Sequence, residues 1–370
     1  MPVDLAASAG PVRSEDEEDS EAPPLAEHGR RRTIVAVVAA VLLAAGVWLL
    51  IGEVANFSKL GHALQRLGPV WLTASVAGAV VGYAGYALLF QALARVADGP
   101  AVPLRLVMRL TIVVFGASVI ATSAGRLGSE YWSLRKLRER PPSAWSRVLG
   151  INTALWALLA VLAWFGALDL LASPDPAVPR WLELTWLLAL PGCALPAVWL
   201  TSPRRRHLTE DRGGRVRRAL AAALRGIVLI RSALRRPRRG APMVAGGIVL
   251  WGGELITVWA ALRAFDYHIG YGALAIGYAT GYVSTTLPLP AGGAGGVDAA
   301  SAYALTLVGV PIAPALLATV IQRLCTYWLP LGVAIVAARS VKRLGPDLAS
   351  LPPTWREPTS RQPAPLGGAA

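Results

Sequence analysis

The sequence has few of the residues from which metal centres, disulfides and nucleotide sites are built. It contains two cysteines, Cys193 and Cys325, both in apolar segments, and four histidines. Their spacing predicts neither a metal site nor a disulfide framework, and the cysteines are interpreted as small buried apolar side chains. The chain has no Gly-x-x-x-x-Gly-Lys-Ser/Thr motif, which excludes a P-loop. We therefore expect a protein that is not an enzyme, with no catalytic residues, no cofactor and no metal.

Acidic residues are also scarce, at 22 against 36 Lys and Arg, for a net charge of +14. Such a balance is typical of nucleic-acid binding or of loops that face anionic lipid. Hydrophobic residues make up 54% of the chain and gather in long uncharged runs, which leave no soluble domain to bind nucleic acid. The composition therefore predicts a multi-pass α-helical protein of a bacterial plasma membrane, with membrane lipids as partners and no nucleic acid.

Six runs are long and apolar enough to cross a bilayer, which takes about 20 residues. They cover residues 33–51, 71–93, 148–171, 181–201, 242–265 and 313–338. Basic residues precede the first run and follow the last, so both termini are expected in the cytoplasm. A membrane domain over residues 33–344 is predicted, flanked by disordered cytoplasmic tails at 1–32 and 345–370.

Two further apolar stretches do not read as full spans, the first because it is too short and the second because it is interrupted. Residues 110–121 carry no charge and lead into a charged segment with a basic excess, so both of their ends are expected inside. Residues 267–310 are interrupted by the Gly- and Pro-rich segment 287–298. Each stretch is predicted to form a re-entrant or broken hairpin, and the two hairpins enter from opposite faces.

The two halves of the chain then follow the same order of span, span, hairpin and span. The first repeat covers residues 33–171 and the second 181–339, and they begin on opposite sides of the membrane. The predicted fold is an all-α polytopic membrane protein built as an inverted repeat. It has six full spans and two hairpins, counted as up to eight or nine transmembrane segments. Inverted repeats with interrupted helices are a recurring design of transporters.

A short motif recurs at the two hairpins and supports the repeat. Gly125–Glu130 and Gly293–Asp298 both read Gly-x-x-Gly-x-acid, and the glycines allow a helix to break. Each carboxylate is interpreted either as a helix N-cap or as a polar lining for a headgroup, an ion or a proton. The candidates for a substrate path are Gly125, Arg126, Gly128, Glu130, Arg135, Glu254, Gly292, Gly293, Gly296, Asp298 and Arg323.

Glu254 and Arg323 are charged residues inside predicted spans, where charge is costly and usually faces a partner or a cavity. A Glu254–Arg323 pair is one reading, and an Arg323 that reaches a membrane surface is the other. The cytoplasmic loop 202–240 holds thirteen arginines against two acidic residues. Within it, residues 215–236 are predicted either to form an amphipathic helix on anionic lipid or to be a solvated basic linker.

At these motifs the chain resembles the lysylphosphatidylglycerol synthase transmembrane region, a family of flippase-like membrane proteins. The resemblance covers residues 30–345 and rests on the segments 124–135 and 287–298, with further matches at 309–312 and 322–324. Asp298 stands where the family usually has Glu, and Ala291 where its loop often has Pro. The family's Glu-Arg pair after the first hairpin is not evident, since Gly150, Ile151 and Asn152 occupy that position.

The resemblance implies a translocator of an anionic phospholipid or of a polyprenyl-phosphate-linked intermediate. In full-length synthases a soluble C-terminal domain carries the aminoacyl transfer, and no segment after residue 345 is long enough to be that domain. We therefore expect that this chain does not itself make lysylphosphatidylglycerol. The alternative is a non-transporting membrane partner that recruits or regulates a lipid-modifying enzyme or a glycosyltransferase, which the basic loop and the acidic N-terminal tail would favour.

Overall fold

The computed structural model describes residues 69–96, 101–118, 122–137, 141–202, 204–205, 214–286, 295–336 and 338–351. Within these ranges the regular structure is helical and no strand occurs, which confirms the all-α prediction. The α-helices are α1 (Pro69–Ala94), α2 (Leu104–Ser118), α3 (Thr122–Lys136), α4 (Pro141–Ala172), α5 (Arg180–Leu200), α6 (Arg215–Leu234), α7 (Pro237–Arg263), α8 (Tyr271–Val283), α9 (Gly296–Thr306), α10 (Ile312–Arg323), α11 (Leu329–Val336) and α12 (Ala338–Ala349).

Five segments of the described chain are long and apolar enough to cross a membrane. They are Pro69–Ala94, Ser143–Ala172, Arg180–Leu200, Gly240–Arg263 and Ile312–Val336. Each corresponds to one of the spans predicted from the sequence, so the multi-pass architecture is confirmed. The predicted span at 33–51 and most of both tails lie outside the described residues.

The two predicted hairpins are pairs of short helices. Helices α2 and α3 have 15 residues each, and α8 and α9 have 13 and 11. At 1.5 Å per residue none exceeds about 23 Å, which is less than the roughly 30 Å of a bilayer core. Within each pair the two helices pack against each other. The relation of the two halves by an inverted repeat stays a prediction.

Helices α1 and α7 form the closest helix pair of the bundle. A Cβ atom added to Gly85 would lie 2.2 Å from the backbone nitrogen of Leu250, and one added to Gly253 would lie 2.5 Å from that of Gly82. Glycine is therefore required on both helices for the backbones to approach this closely. Small residues at such contacts drive helix association in membranes, where lipid removes the hydrophobic driving force.

Arg147, which the sequence places in a cytoplasmic charged segment, is buried and has a structural role. Its Nη1 donates to the carbonyl oxygens of Leu93, Ala94 and Val96 at 3.3, 3.1 and 2.6 Å. These carbonyls lie at and just beyond the C-terminal end of α1, where no further turn supplies donors. An arginine suits this position because it satisfies the carbonyls and complements the negative end of the helix dipole.

The basic loop contains a helix over Arg215–Leu234, which agrees with one of the two interpretations of this segment. One face of α6 packs on α4, where Gly226 lies against Gly150 and Arg225 Nε donates to Ser146 Oγ at 3.0 Å. Arg217 and Arg218 on the other face are exposed. This helix is therefore part of the bundle on one side, which argues against a solvated linker.

The helical structure extends further toward the C-terminus than the sequence indicates. Residues 345–349, assigned to a disordered tail, complete helix α12. Leu344 and Leu348 are buried one turn apart, and Asp347 pairs with Arg109 of α2 at 2.8 Å. Burial of this i, i+4 leucine pair explains why the helix continues past the last basic cluster.

Candidate functional site

A cavity with a volume of about 80 Å³ lies among both hairpins, α7 and α10, and is called the central cavity below. It has room for a few water molecules or one phosphate-sized group. Its polar lining includes Arg126, Glu254, Tyr278, Tyr282, Asp298, Ser301, Gln322 and Arg323. Leu155, Leu250, Trp251 and Val258 supply apolar wall.

The central cavity lies in the middle of the membrane segments. Arg323 is eleven residues after the start of Ile312–Val336 and thirteen before its end. At 1.5 Å per residue these distances are about 16 and 20 Å. The Arg323 side chain is only 11% exposed, so it lies inside the bundle and does not reach a surface.

Arg126 and Glu130 lie one turn apart on α3, and Asn152 of α4 bridges them. Arg126 Nη2 donates to Asn152 Oδ1 at 2.7 Å, and Asn152 Nδ2 donates to Glu130 Oε2 at 2.9 Å. Tyr86 of α1 donates its hydroxyl to Glu130 Oε1 at 2.6 Å. Glu130 is fully buried, so the bridge and the tyrosine stabilise a charge that is far from solvent.

Arg126 also joins the two hairpins. Its Nη1 donates to the hydroxyl of Tyr282 on α8 at 3.0 Å. Its Nε is buried at the central cavity and has no hydrogen-bond partner among the described residues. A buried donor without a partner is costly, so it marks a place where a ligand oxygen or a water would be bound.

Asp298 combines the two roles that its sequence leaves open. Its Oδ2 accepts from the backbone N–H of Gly295 at 3.1 Å, which caps the start of α9. Gly295 has φ +84°, a conformation that glycine adopts without steric cost. This residue lies at the helix break of the second hairpin. Asp298 Oδ1 accepts from Arg323 Nε at 2.6 Å, and the Arg323 guanidinium lies 4.3 Å over the ring of Tyr327.

Glu254 has a different environment, because its hydrogen-bond partners are all neutral. Tyr278, Gln322 and Thr326 bind its Oε2 at 3.2, 3.2 and 3.3 Å. The predicted pairing of Glu254 with Arg323 is therefore wrong in this structure, since Arg323 pairs with Asp298. Arg323 pairs with Asp298 and not with Glu254 because the capping position at the start of α9 places Asp298 against α10.

Directly after Arg323 the chain forms a π-helical segment, Leu324–Trp328. The backbone N–H of Leu329 donates to the Leu324 carbonyl, five residues back. The next residue, Pro330, has no N–H, so the carbonyl of Cys325 lacks its donor. The Tyr83 hydroxyl of α1 donates to that carbonyl instead. Single π-turns of this kind are frequent at functional sites.

The first Gly-x-x-Gly-x-acid motif differs from its predicted structure. Gly125 and Gly128 lie within α3, which begins at Thr122, so they do not break a helix. Gly128 is exposed and has no neighbour within 4 Å of an added Cβ. The helix N-cap reading of Glu130 is wrong, because this residue lies two turns into α3. In the second motif Gly295 is the N-cap residue, and Asp298 caps α9 from the third helical position through its bond to the Gly295 N–H.

The predicted site residues divide into three groups. Arg126, Glu254, Asp298 and Arg323 line the central cavity, and Glu130 joins it through Asn152. Gly125, Gly128, Arg135 and Gly296 do not line it, and Arg135 and Gly296 are exposed. Gly292 and Gly293 lie outside the described residues.

Sequence reasoning missed several contributors to the site, namely Tyr86, Asn152, Tyr278, Tyr282 and Gln322. Asn152 stands at the position where the family's Glu-Arg pair is expected and is absent. That departure from the family pattern could have identified Asn152 as a site residue. The tyrosines lie in apolar runs with no charge to mark them. Among the described residues no cluster of three His, Cys, Asp or Glu side chains could hold a metal ion.

Comparison with known proteins agrees with the resemblance. The family described as the lysylphosphatidylglycerol synthase TM region matches residues 34–334, which include all of the helices around the central cavity. No curated protein matches the chain. Since the family match covers most of the 370 residues, this integral membrane protein belongs to the family of the lysylphosphatidylglycerol synthase TM region.

Proposed function

We propose that this protein translocates an anionic phospholipid or a polyprenyl-phosphate-linked intermediate across the plasma membrane, without catalysing a reaction. The headgroup phosphate would occupy the central cavity and the acyl or prenyl chains would stay in the bilayer. The observation that carries the proposal is the Arg126 side chain, which lines a cavity at the centre of the bundle with an unpartnered, buried Nε.

The chemistry of the lining supports a phosphate ligand. The planar guanidinium of arginine binds two phosphate oxygens at once, which an ammonium group does not. Arg126 and Arg323 line the cavity from the first hairpin and from α10. Ser301 and Thr285 add hydroxyl groups on the side of the second hairpin, which suit the remaining headgroup oxygens.

The placement of the hairpins supports movement of a ligand. The bond from Arg126 to Tyr282 joins them across the cavity, so a ligand that takes over Arg126 would release one hairpin from the other. Such an exchange would link headgroup binding to a change of hairpin packing. With both termini in the cytoplasm, as the basic flanks indicate, the two hairpins would reach the cavity from opposite membrane faces.

The test is a translocation assay in proteoliposomes with fluorescent phosphatidylglycerol and a fluorescent polyprenyl-phosphate analogue. Wild type is compared with Arg126→Gln, which keeps polar bulk and removes the charge. A charge-assisted hydrogen bond contributes about 1.5–3 kcal/mol. If the contact matters in the rate-limiting step, the rate of Arg126→Gln falls about tenfold to a hundredfold.

The matched control is Arg95→Gln, which removes the same charge from an exposed residue outside the central cavity. Its rate should equal that of wild type. Wild type that elutes as a folded species and moves neither lipid would contradict the proposal. Equal rates for the Arg126→Gln and Arg95→Gln proteins would also contradict it, because the lipid would then not pass Arg126.

A membrane partner role is the second candidate, and the outer face of α6 favours it. Arg217 and Arg218 are exposed there beside the exposed apolar side chains of Val216 and Leu220. Deleting the loop would remove the packing of Gly226 on α4, so charge reversal is the better perturbation. Loss of a co-purifying enzyme in the Arg217→Glu, Arg218→Glu double variant, with translocation absent in wild type, would favour this role.

A further inference from the structure

The charged side chains at the central cavity are paired except for one. Arg126 is bridged to Glu130, and Arg323 forms an ion pair with Asp298. These four charges cancel. Glu254 is left as a fifth charge, and no basic side chain among the described residues hydrogen bonds to it. An unpaired carboxylate that is buried away from water has a high free energy unless it takes up a proton or binds a cation.

The hydrogen bonds of Glu254 suit both the ionised and the protonated form. Its Oε2 is bound by Tyr278, Gln322 and Thr326. With a proton on Oε1, Oε2 remains an acceptor, so all three hydrogen bonds persist in both forms. Oε1 makes no hydrogen bond to a described residue, and it is the oxygen on which a proton can reside.

Glu130 has no such free oxygen, because Oε1 accepts from Tyr86 and Oε2 accepts from Asn152. Arg126 can only donate, so Asn152 must face it with Oδ1 and must face Glu130 with its NH₂ group. Glu130 Oε2 is thereby fixed as an acceptor, next to a positive charge that favours the carboxylate. Two buried carboxylates on one site are thus held in contrasting environments, and such contrast commonly assigns different roles to two acids.

The other titratable groups near Glu254 do not supply a competing proton site. Tyr83 approaches from α1 and Tyr278 from α8, while Cys325 and Tyr327 approach from the π-helical segment. All four are acids that are neutral in water below pH 8. Across the cavity the charged groups are Arg126, Arg323 and Asp298, which hold the paired interactions described above.

We propose that Glu254 is a proton-binding site that couples lipid movement to protons, with one proton bound together with one anionic headgroup. This inference rests on the proposed translocation. A phosphodiester brings one negative charge into a cavity where Glu254 already carries an unpaired one, and a proton on Glu254 removes the repulsion between the two. The loaded cavity then carries one negative charge instead of two in the low-dielectric interior, and the proton and the lipid leave together.

The test measures translocation of fluorescent phosphatidylglycerol in proteoliposomes with and without an imposed gradient of two pH units. If only the protonated form is competent, the apparent affinity on the loading side rises up to about tenfold per pH unit of acidification. Wild type should therefore accelerate when the side on which the labelled lipid is loaded is the acidic side. Glu254→Gln should translocate at a rate that does not respond to the gradient, because its neutral amide keeps the hydrogen bonds of the acid.

The matched variant is Glu130→Gln, which should lower the rate while keeping the acceleration by the gradient. A wild-type rate that is the same with and without the gradient, in vesicles that do translocate lipid, would overturn proton coupling and leave the translocation itself standing. Acceleration by a sodium gradient at constant pH would also overturn it. If wild type moves no lipid at all, the proposed function and this inference fall together.

A second measurement does not depend on transport. Infrared spectroscopy of the reconstituted protein should show a protonated carboxyl band that disappears in Glu254→Gln and remains in Glu130→Gln. Addition of unlabelled phosphatidylglycerol should strengthen that band in wild type at a pH where it is partly populated. A band that remains in Glu254→Gln and disappears in Glu130→Gln would reverse the assignment and overturn the proposal.

Discussion

Replacement of Asn152 by leucine should destabilise the protein strongly, although leucine is nearly isosteric with asparagine. The change removes the bonds of 2.7 Å to Arg126 and 2.9 Å to Glu130 and leaves both charges buried. Each hydrogen bond to a charged group contributes about 1.5–3 kcal/mol, so the upper bound is about 6 kcal/mol. Arg126 and Glu130 keep their tyrosine partners, so we expect a loss of about 2–4 kcal/mol.

The measurement is reversible unfolding in mixed micelles, followed by circular dichroism. Thr153→Val is the control, the same kind of polar-to-apolar change one residue further along α4. A double-mutant cycle of Asn152→Leu with Glu130→Gln should give a coupling energy above about 1 kcal/mol, as expected for residues in one hydrogen-bonded network. A loss below about 0.5 kcal/mol for Asn152→Leu would refute the bridge, since that is the size of an ordinary surface substitution.

Three further substitutions, the first with a matched control, test the packing of the bundle. Gly85→Ala should destabilise the α1–α7 contact by about 1–3 kcal/mol in the same unfolding assay, because the added Cβ meets backbone; Gly128→Ala, whose Cβ meets nothing, should be neutral or stabilising by up to about 1 kcal/mol. Tyr83→Phe should cost about 1–3 kcal/mol, because it leaves the Cys325 carbonyl without a donor; an unchanged unfolding midpoint would exclude that bond. Arg147→Met should speed amide hydrogen exchange at the C-terminal turn of α1 relative to its middle, and uniform exchange along α1 would contradict the capping role.

The membrane architecture could be predicted because apolar length is a strong signal in a chain of this composition. The described spans agree with runs of about 20 mainly apolar residues, and the described arms of both hairpins are too short to cross a bilayer. The side that each charged segment faces stays a prediction from the basic residues. Arg147 is an exception to this reasoning. The sequence assigns it to a charged cytoplasmic segment, but in the structure it is buried and caps the C-terminal end of α1.

The charged residues of the candidate site could be predicted from the sequence, but which of them pair with each other could not. A charge inside an apolar run is conspicuous, so Glu254 and Arg323 stand out in the sequence. Which carboxylate meets which arginine depends on helix register and on where α3 and α9 begin. The Gly-x-x-Gly-x-acid motif begins one helix and lies within the other, so similar residues receive different structural roles.

The neutral partners of the site carry little sequence signal, and Asn152 is marked only by its departure from the family's Glu-Arg pair. Asn152 looks like an ordinary polar residue in a span, and the tyrosines look like interface or core residues. Their role depends on distances of about 3 Å between helices that are far apart in the chain. Tyr86 and Glu130, for example, are 44 residues apart and come within 2.6 Å.

The central claim is that a lipid phosphate enters the central cavity, and photo-crosslinking tests it most directly. A phosphatidylglycerol with a diazirine beside its phosphate is incorporated with the protein into vesicles, irradiated, and mapped by mass spectrometry. The account predicts crosslinks at cavity-lining residues such as Ser301, with a strong reduction in Arg126→Gln. Crosslinks confined to exposed apolar residues such as Phe165 and Leu188, and unchanged by that substitution, would contradict it.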